Sequence, residues 1–327
     1  MLLRPLLALL SLVLLLPAAP AAPAAELELA SWTVPWPDSR PRDPAVAADG
    51  VVWFVGQKGD YLGRFDPASA DFSRIDLGAG AGPHNVIVDG AGQIWIAGNR
   101  QAWIGRYDAA SAEIERFPTP QPHGGDPHTL AATDGAIWFT SQRGNHIGRL
   151  DPGDGSVELV AAPRPAANPY GLVTGADGSA WVALFGTNAL GHIDATTLEL
   201  ELIPLPREDA RPRRVALGSN GDVWYVDYLD GYLGRYRPAD GSIVEWPVPG
   251  GAEAGPYGMT IDAADRLWFV ETGSTPNQLI VFNSRQQKVI AARVIEAGAV
   301  RHMVYDARSD AVWFGTDHGE LVQARLR

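Results

Sequence analysis

Residues 255–271, Gly-Pro-Tyr-Gly-Met-Thr-Ile-Asp-Ala-Ala-Asp-Arg-Leu-Trp-Phe-Val-Glu, contain a pattern that recurs along the chain. Its core is an apolar residue, a tryptophan and an aromatic or aliphatic residue. Seven copies occur, centred on Trp53, Trp95, Trp138, Trp181, Trp224, Trp268 and Trp313. The steps between successive tryptophans are 42, 43, 43, 43, 44 and 45 residues. A nearly constant period of this length is the signature of a repeat architecture.

Each repeat unit reads as four short strands. A proline, replaced by Arg301 in the last unit, stands eleven or twelve residues before the tryptophan, and a hairpin turn such as Asp49-Gly50 lies between them. A third strand follows the tryptophan, as in residues 62–66, and a fourth alternates in polarity, as in residues 114–118. Four antiparallel strands per unit are typical of a propeller blade. The sequence therefore predicts an all-β, seven-bladed β-propeller.

The seventh unit ends after its third strand, residues 321–325, and has no outer strand of its own. Residues 27–35, near the other end of the chain, show the alternating pattern of a fourth strand. An incomplete last blade would present an open sheet edge. We therefore expect the N-terminal strand to close the last blade, and residues 26–327 to form one β-propeller domain.

The first 25 residues have the pattern of a secretory signal peptide. Arg4 precedes an apolar run over residues 6–16, and Ala22-Pro23-Ala24 provides a cleavage pattern of small residues. This apolar run is shorter than the ~20 residues that span a bilayer, so an uncleaved anchor is the lesser alternative. We expect residues 1–25 to be removed and the protein to be periplasmic or secreted.

The composition is that of an ordinary globular protein, with 46% apolar and 20% charged residues among 327. The 26 basic residues are outnumbered by 38 acidic ones, which gives a net charge of −12. Such a charge disfavours nucleic acids and anionic membrane surfaces as partners. Cysteine is absent, so disulfides and thiolate chemistry are excluded. We expect a monomer whose partner is a small-molecule ligand or substrate.

The residue that follows each repeat proline begins the innermost strand, where the blades converge on the central channel. Polar or amphipathic residues occupy this position in all seven units, which predicts that they face a hydrated channel mouth. Four of these residues are candidate catalytic residues: His84, His128, Tyr257 and His302. Side chains suited to ligand binding are Arg42, Tyr170 and Arg213. The alternative for the histidines is a structural role, hydrogen-bonded to neighbouring blades.

The residue three positions after each tryptophan is acidic in only two units, as Asp227 and Glu271; elsewhere it is Gly, Ser, Leu or Thr. Because hard cations prefer carboxylate oxygens, the two acids predict a Mg²⁺ site on one side of the channel. The alternative is a structural ion pair, of Asp227 or Glu271 with Arg213 or of Glu271 with Arg42.

The motif Gly-Pro-Tyr-Gly with Leu-Trp-Phe-Val-Glu, and its relatives Gly-Pro-His-Asn with Ile-Trp-Ile-Ala-Gly and Asp-Pro-His-Thr with Ile-Trp-Phe-Thr-Ser, resembles the streptogramin B lyases, the virginiamycin B lyase family. The resemblance extends over the whole mature chain. It implies a seven-bladed propeller and an elimination reaction that linearises a cyclic depsipeptide at its ester bond. It also implies a histidine base and a Mg²⁺ site at the channel mouth.

The family's key blade reads Glu-Pro-His-Gly, with a glutamate fourteen residues after the histidine. Glu271 stands fourteen residues after Tyr257 and matches that glutamate. The other family positions are occupied here by Tyr257 for the base histidine, Gly255 for the first glutamate, Arg213 for the histidine of the preceding blade and Thr316 for a further histidine. A tyrosine of ordinary pKa, near ~10, is a poor base at neutral pH.

Two hypotheses follow from the sequence. In the first, an exported lyase-like enzyme holds Mg²⁺ with Glu271 and Asp227, and His302 or a neighbouring histidine removes a proton beside a carbonyl group. In the second, a non-catalytic propeller binds a small ligand or a protein at the channel mouth, since one fold serves many functions.

Overall fold

The computed structural model describes residues 26–123 and 125–327. Over this part of the chain, seven sheets of four antiparallel strands form seven blades, so the predicted all-β, seven-bladed β-propeller is confirmed. The predicted signal peptide, residues 1–25, lies outside the described residues. In the described part of the chain no helix has the length and apolarity that crossing a bilayer would require.

Strand β1 is Leu27–Thr33. Blade 1 consists of β2 (Pro41–Val46), β3 (Val52–Gly56), β4 (Tyr61–Asp66) and β5 (Asp71–Asp76). Blade 2 consists of β6 (Val86–Val88), β7 (Ile94–Gly98), β8 (Trp103–Asp108) and β9 (Glu113–Pro118). Blade 3 consists of β10 (Pro127–Ala132), β11 (Ile137–Ser141), β12 (His146–Leu150) and β13 (Val157–Ala161). Blade 4 consists of β14 (Pro169–Thr174), β15 (Ala180–Leu184), β16 (Ala189–Ile193) and β17 (Leu200–Pro204).

Blade 5 consists of β18 (Pro212–Leu217), β19 (Val223–Asp227), β20 (Tyr232–Arg237) and β21 (Ser242–Pro247). A 3-10 turn, Gly251–Ala254, precedes blade 6, which consists of β22 (Pro256–Ile261), β23 (Arg266–Glu271), β24 (Asn277–Asn283) and β25 (Lys288–Ile295). Blade 7 contains β26 (Met303–Asp306), β27 (Ala311–Gly315) and β28 (Glu320–Leu326). Its fourth and outermost strand is β1.

The two ends of the chain meet in blade 7. Strand β1 pairs antiparallel with β28, from Leu27 opposite Leu326 to Thr33 opposite Glu320. Val34 extends this ladder by donating its backbone N–H to the carbonyl of Gly319 at 2.9 Å. The predicted closure by the N-terminal strand is confirmed, and the pairing covers the edge that β28 would otherwise expose.

The repeated tryptophan lies in the second strand of each blade and packs against the following blade. Trp53 of blade 1 belongs to one apolar cluster with Val86 and Ile94 of blade 2. In blade 7, Trp313 clusters with Val52 of blade 1, which carries the core across the point of closure. These contacts account for the period in the sequence, because each unit buries its apolar face only against its neighbour.

The innermost strands share an irregularity that positions the channel residues. In five blades the ladder between the first and second strands shifts register just after the repeat proline, as between Arg42 and Ala45 of blade 1. Asp43 lies within this bulge and has a φ of 47°. Such bulges re-aim side chains. Two consecutive residues of an inner strand can therefore both reach the channel.

Blades 2 and 7 differ from the predicted start of the innermost strand. There the regular strand begins later, at Val86 and Met303, so His84 and His302 precede it. The backbone N–H of His84 still donates to the carbonyl of Ala97 at 2.9 Å. This bond retains His84 beside the second strand although the regular ladder starts further along the chain.

Candidate functional site

The structure brings the predicted channel residues together. We use the name channel ring for Arg42, His84, His128, Tyr170, Arg213, Tyr257 and His302. On one side of the ring, Nη1 of Arg42 lies 3.1 Å from Nε2 of His84. The imidazole centroids of His84 and His128 are 3.7 Å apart, and the His128 centroid is 4.2 Å from that of Tyr170. Residues from four successive blades therefore form a continuous row.

The other side of the channel ring is built around two tyrosines. The hydroxyl groups of Tyr170 and Tyr257 share a hydrogen bond. The guanidinium carbon of Arg213 lies 3.6 Å from the ring centroid of Tyr257 and 5.0 Å from that of Tyr170. His302 completes the ring beside Asp43 and Arg214, whose charges act on it.

Arg213 lies among four aromatic rings. Besides the two tyrosines of the channel ring, Phe185 and Tyr228 have their centroids 4.9 and 4.1 Å from its guanidinium carbon. The sequence-based prediction missed Phe185 and Tyr228. A signal was present, because each stands four residues after a repeat tryptophan, where the other five units have Gln57, Asn99, Gln142, Thr272 and Asp317.

Beneath the ring, the next residue of several inner strands forms a second polar layer. It contains Asp43, Asn85, Thr129 and Arg214, each at most 2% exposed. Asn85 donates from Nδ2 to Oδ2 of Asp43 at 3.1 Å. The sequence-based prediction also missed this layer, although burial of polar groups at an inner strand requires partners.

Arg214 of blade 5 crosses the channel. Its Nη1 donates to Oγ1 of Thr129 in blade 3 at 3.1 Å, and its Nη2 lies 3.7 Å from Oδ2 of Asp43 in blade 1. At Gly171 in blade 4, a Cβ atom would come within 2.8 Å of the Arg214 Cα atom. Glycine at that position therefore leaves room for the crossing arginine.

The electrostatics of the site are dominated by arginine. Burial opposes ionisation of Asp43, but the charges of Arg42 and Arg214 outweigh it and hold the pKa of Asp43 well below its usual range. Burial and the nearby arginines lower the pKa of His302 to about 4 and the pKa values of His84 and His128 well below their ordinary value. The three imidazoles are therefore neutral at neutral pH.

The two hydrogen-bonded tyrosines differ in acidity. Burial and the neighbouring Tyr170 raise the pKa of Tyr257. Burial also opposes ionisation of Tyr170, but Arg213, Arg214 and Arg42 outweigh it and lower the pKa of Tyr170. The hydroxyl of Tyr257 thus holds its proton more strongly than the hydroxyl of Tyr170.

Asp227 is engaged in a structural ion pair outside the channel ring. Its Oδ2 lies 2.5 Å from Nη2 of Arg207, and its Oδ1 accepts the backbone N–H of Arg211 at 2.8 Å. The arginine considered from the sequence, Arg213, is not its partner. The reason is local, because Arg207 and Arg211 lie in the loop before β18, directly beside the end of β19.

Glu271 is 2% exposed and accepts the backbone N–H of Gly250 at 2.9 Å. Burial raises its pKa. No arginine forms an ion pair with Glu271 in residues 26–123 and 125–327, so the alternative considered from the sequence, a pairing of Glu271 with Arg213 or Arg42, is not found.

The acids present do not fit Mg²⁺. The ion prefers a nearly octahedral set of oxygen ligands, whereas the Asp227 carboxylate is bound by Arg207 and the Glu271 carboxylate by a backbone amide. The described part of the chain contains no group of three His, Asp or Glu side chains able to hold a metal ion. Binding of Mg²⁺ thus stays a prediction from the sequence alone, and the contacts of both carboxylates argue against it.

Comparisons with known proteins agree with this architecture. The model of the virginiamycin B lyase family matches residues 27–324. A streptogramin B lyase structure superposes with a TM-score of 0.82 at 25% identity, covering 92% of this chain and 98% of that one. A catalytically inactive histidine-to-alanine variant of virginiamycin B lyase from Staphylococcus aureus, solved with quinupristin, gives 0.82 at 22% identity, covering 92% of this chain and 100% of that one.

The fold is shared more widely. The WD40 propeller domain of Doa1 superposes with a TM-score of 0.73 at 12% identity and covers 92% of this chain and 97% of that one. A search of curated proteins finds no match. Because the family model matches nearly the whole described chain, from the closing strand to the last blade, the chain belongs to the virginiamycin B lyase family.

Proposed function

We propose that this chain is a binding protein of the virginiamycin B lyase family that takes up a small-molecule ligand at the channel ring. The observation that supports this most directly is the pairing of Arg213 with Tyr257, 3.6 Å apart. These residues stand where the family resemblance places two histidines, one of them the base.

Tyr257 is poorly suited to act as a base. Burial and the neighbouring Tyr170 raise its pKa, so its phenol group keeps its proton at neutral pH. A general base must be unprotonated near the working pH. The residue at the position of the family's base therefore favours recognition over proton abstraction.

The channel ring offers groups that recognise small molecules. His84, Arg213 and His302 are partly exposed, and they stand beside the aromatic faces of Tyr170 and Tyr257. Ligand sites commonly combine aromatic walls with a few fixed polar groups. With the signal-peptide pattern, this suggests a ligand met in the periplasm or outside the cell.

A second candidate function is the elimination reaction, favoured by His302. Its Nδ1 has no hydrogen-bond partner among the described residues, and its lowered pKa leaves the imidazole neutral. As a base it would remove the proton from the carbon beside a carbonyl group. The electron pair of that C–H bond forms a carbon–carbon double bond, the ester C–O bond breaks, and the carboxylate leaves. Since the acids present do not fit a metal site, this step would depend on the side chains of the protein alone.

One experiment separates the two functions. The purified protein is incubated with cyclic depsipeptides, including quinupristin, the compound named for the S. aureus relative, and analysed by chromatography with mass spectrometry. Elimination opens the ring without changing its mass, whereas hydrolysis adds a water. We expect no conversion. Conversion that His302→Ala abolishes and His318→Ala, at an exposed histidine, preserves would establish the elimination reaction instead.

The binding proposal is tested in parallel by thermal stabilisation with a panel of neutral and anionic small molecules. A ligand of the channel ring should raise the melting temperature of the parent and lose most of that effect in Tyr257→Phe or His302→Ala. Stabilisation that both variants retain in full would place the ligand elsewhere on the protein.

A further inference from the structure

The channel ring and the layer beneath it carry an excess of positive charge. Three guanidinium groups, those of Arg42, Arg213 and Arg214, lie there with one carboxylate, that of Asp43, which pairs with Arg42 and Arg214 only. Nε of Arg42 lies 2.9 Å from Oδ1 of Asp43, and Nη2 of Arg214 lies 3.7 Å from Oδ2. Three positive charges against one negative charge leave two uncompensated, since the histidines are neutral.

Arg213 has no carboxylate partner among the described residues. Its nearest groups are aromatic faces and the hydroxyl of Tyr170, 3.5 Å from Nη2. Cation–π contacts stabilise a guanidinium group. Removing an ion from water is costly, and the aromatic contacts offset this cost without supplying a negative charge that would neutralise Arg213.

Several N–H donors of the same cluster have no hydrogen-bond partner in the described part of the chain. They are Nη2 of Arg42, Nε of Arg213 and Nη2 of Arg214, together with Nδ1 of His84 and Nδ1 of His302, each of which donates in one of its tautomers. The side chains of Arg42 and Arg214 are 4% and 2% exposed. A buried donor left unpaired destabilises the folded protein, because it has lost its hydrogen bonds to water. The unpaired donors of Arg42, Arg213 and Arg214 thus belong to the same side chains that carry the uncompensated charge.

From this coincidence we infer that the channel ring binds an oxyanion, a carboxylate or phosphate group of a small molecule, through Arg213 and the unpaired donors of Arg42 and Arg214. The inference rests on the proposed ligand-binding function and names the class of ligand. Arginine is suited to this task because its planar N–H groups match the oxygens of carboxylate and phosphate. The overall charge of −12 does not oppose binding, since charges beyond ~10 Å are largely screened.

A rival counter-ion lies within the protein. Tyr170 contacts Arg213, and the arginines lower its pKa, so a phenolate at Tyr170 would neutralise one of the two charges. It would also weaken the attraction for an external anion. The two arrangements differ in a measurable way, because a phenolate absorbs in the near ultraviolet at a longer wavelength than a phenol.

The test is a calorimetric titration of the purified protein with inorganic phosphate and, separately, with acetate, at constant ionic strength maintained with sodium chloride. We expect saturable binding of at least one of them. Loss of one charge-assisted contact weakens binding by about tenfold or more, which is the change expected for Arg213→Met. Arg285→Met is the matched control, because the side chain of Arg285 is 77% exposed, and it should bind as the parent does. The ligand that binds with the higher affinity shows whether the site favours phosphate or carboxylate.

The melting temperatures of the parent and of Arg213→Met provide a second test, of which the first part needs no added ligand. Without added anion, Arg213→Met should melt at the same temperature as the parent or higher, because it removes an uncompensated charge. In saturating phosphate or acetate the parent should become the more stable of the two. Absence of saturable binding in the parent, equal affinity in Arg213→Met, or a phenolate absorbance at neutral pH without anion binding would each overturn the inference. If the oxyanion inference fails but a neutral ligand binds, and Tyr257→Phe weakens that binding, the proposed ligand-binding function still stands.

Discussion

Arg214 of blade 5 donates from Nε to the backbone carbonyl of Arg301, just before blade 7, at 2.9 Å, although 87 residues separate them in the sequence. The same guanidinium group reaches Thr129 in blade 3. One side chain on the axis thus joins blades that do not touch through their sheets. The centre of the propeller is held by polar contacts, whereas the interfaces between neighbouring blades are apolar.

We expect Arg214→Met to destabilise the fold by about 2–4 kcal/mol, since it removes the hydrogen bonds that Arg214 donates to Thr129 and to the carbonyl of Arg301, and one of the charges that hold Asp43 ionised. Urea unfolding followed by tryptophan fluorescence measures this change. Arg213→Met is the matched control on the adjacent residue, because Arg213 has no carboxylate partner in the described part of the chain. If the two variants lose equal stability, the crossing contacts of Arg214 are not what holds the axis together.

Deletion of residues 26–37 should lower the melting temperature by about 10 °C or more and cause self-association. The deleted segment contains β1, which covers the edge of β28, and an open edge invites pairing with another chain. The comparison is with a chain that begins at residue 26, measured by calorimetry and light scattering. A truncated protein that remains monomeric with an unchanged melting temperature would refute closure by this strand.

The free energy of unfolding should decrease as the pH falls from about 6.5 toward 4. The pKa of His302 in the folded chain is about 4, below the ordinary value near ~6.5. The unfolded chain therefore binds the proton first on acidification, and the stability present above pH ~6.5 is lost as the pH falls. His302 alone accounts for about 1–2 kcal/mol of this loss at pH ~5.

The measurement is urea unfolding at a series of pH values. His302→Asn should flatten the pH dependence by that amount, while His318→Asn, at an exposed histidine, should leave it as in the parent. A parent and His302→Asn variant with the same pH dependence would show that this imidazole is not held neutral by the fold.

Asp227→Asn should destabilise the protein by about 1.5–3 kcal/mol, because it removes the charge-assisted bonds of a buried carboxylate to Arg207 and to the backbone N–H of Arg211. Arg207 keeps two other carboxylate partners, Asp230 and Glu245. Adding Mg²⁺ should not change the melting temperature of the parent, since both predicted acidic ligands are engaged within the protein. A saturable Mg²⁺ titration of the parent that Glu271→Gln abolishes would instead support the sequence-based prediction of a metal site.

The number and order of the blades could be read from the sequence because each unit repeats the same local chemistry. A tryptophan at a nearly constant period, turns of small residues and an unmatched alternating strand at the N-terminus determine the ring and its closure without any long-range information. The channel ring could be predicted for the same reason. A shared offset from the repeat proline places Arg42, His128 and Tyr257 at equivalent points of equivalent strands.

The direction and the partner of each side chain were decided by the tertiary structure. Asp227 and Glu271 occupy equivalent positions, yet one binds Arg207 and the other a backbone amide, because the loops beside them differ. The crossing of Arg214 depends on a bulge in its strand and on a glycine in the neighbouring blade. The repeat in the amino-acid sequence is enough to predict which residues lie at the channel. Contacts across the channel join residues more than 80 positions apart, and only the closed ring determines which of them meet.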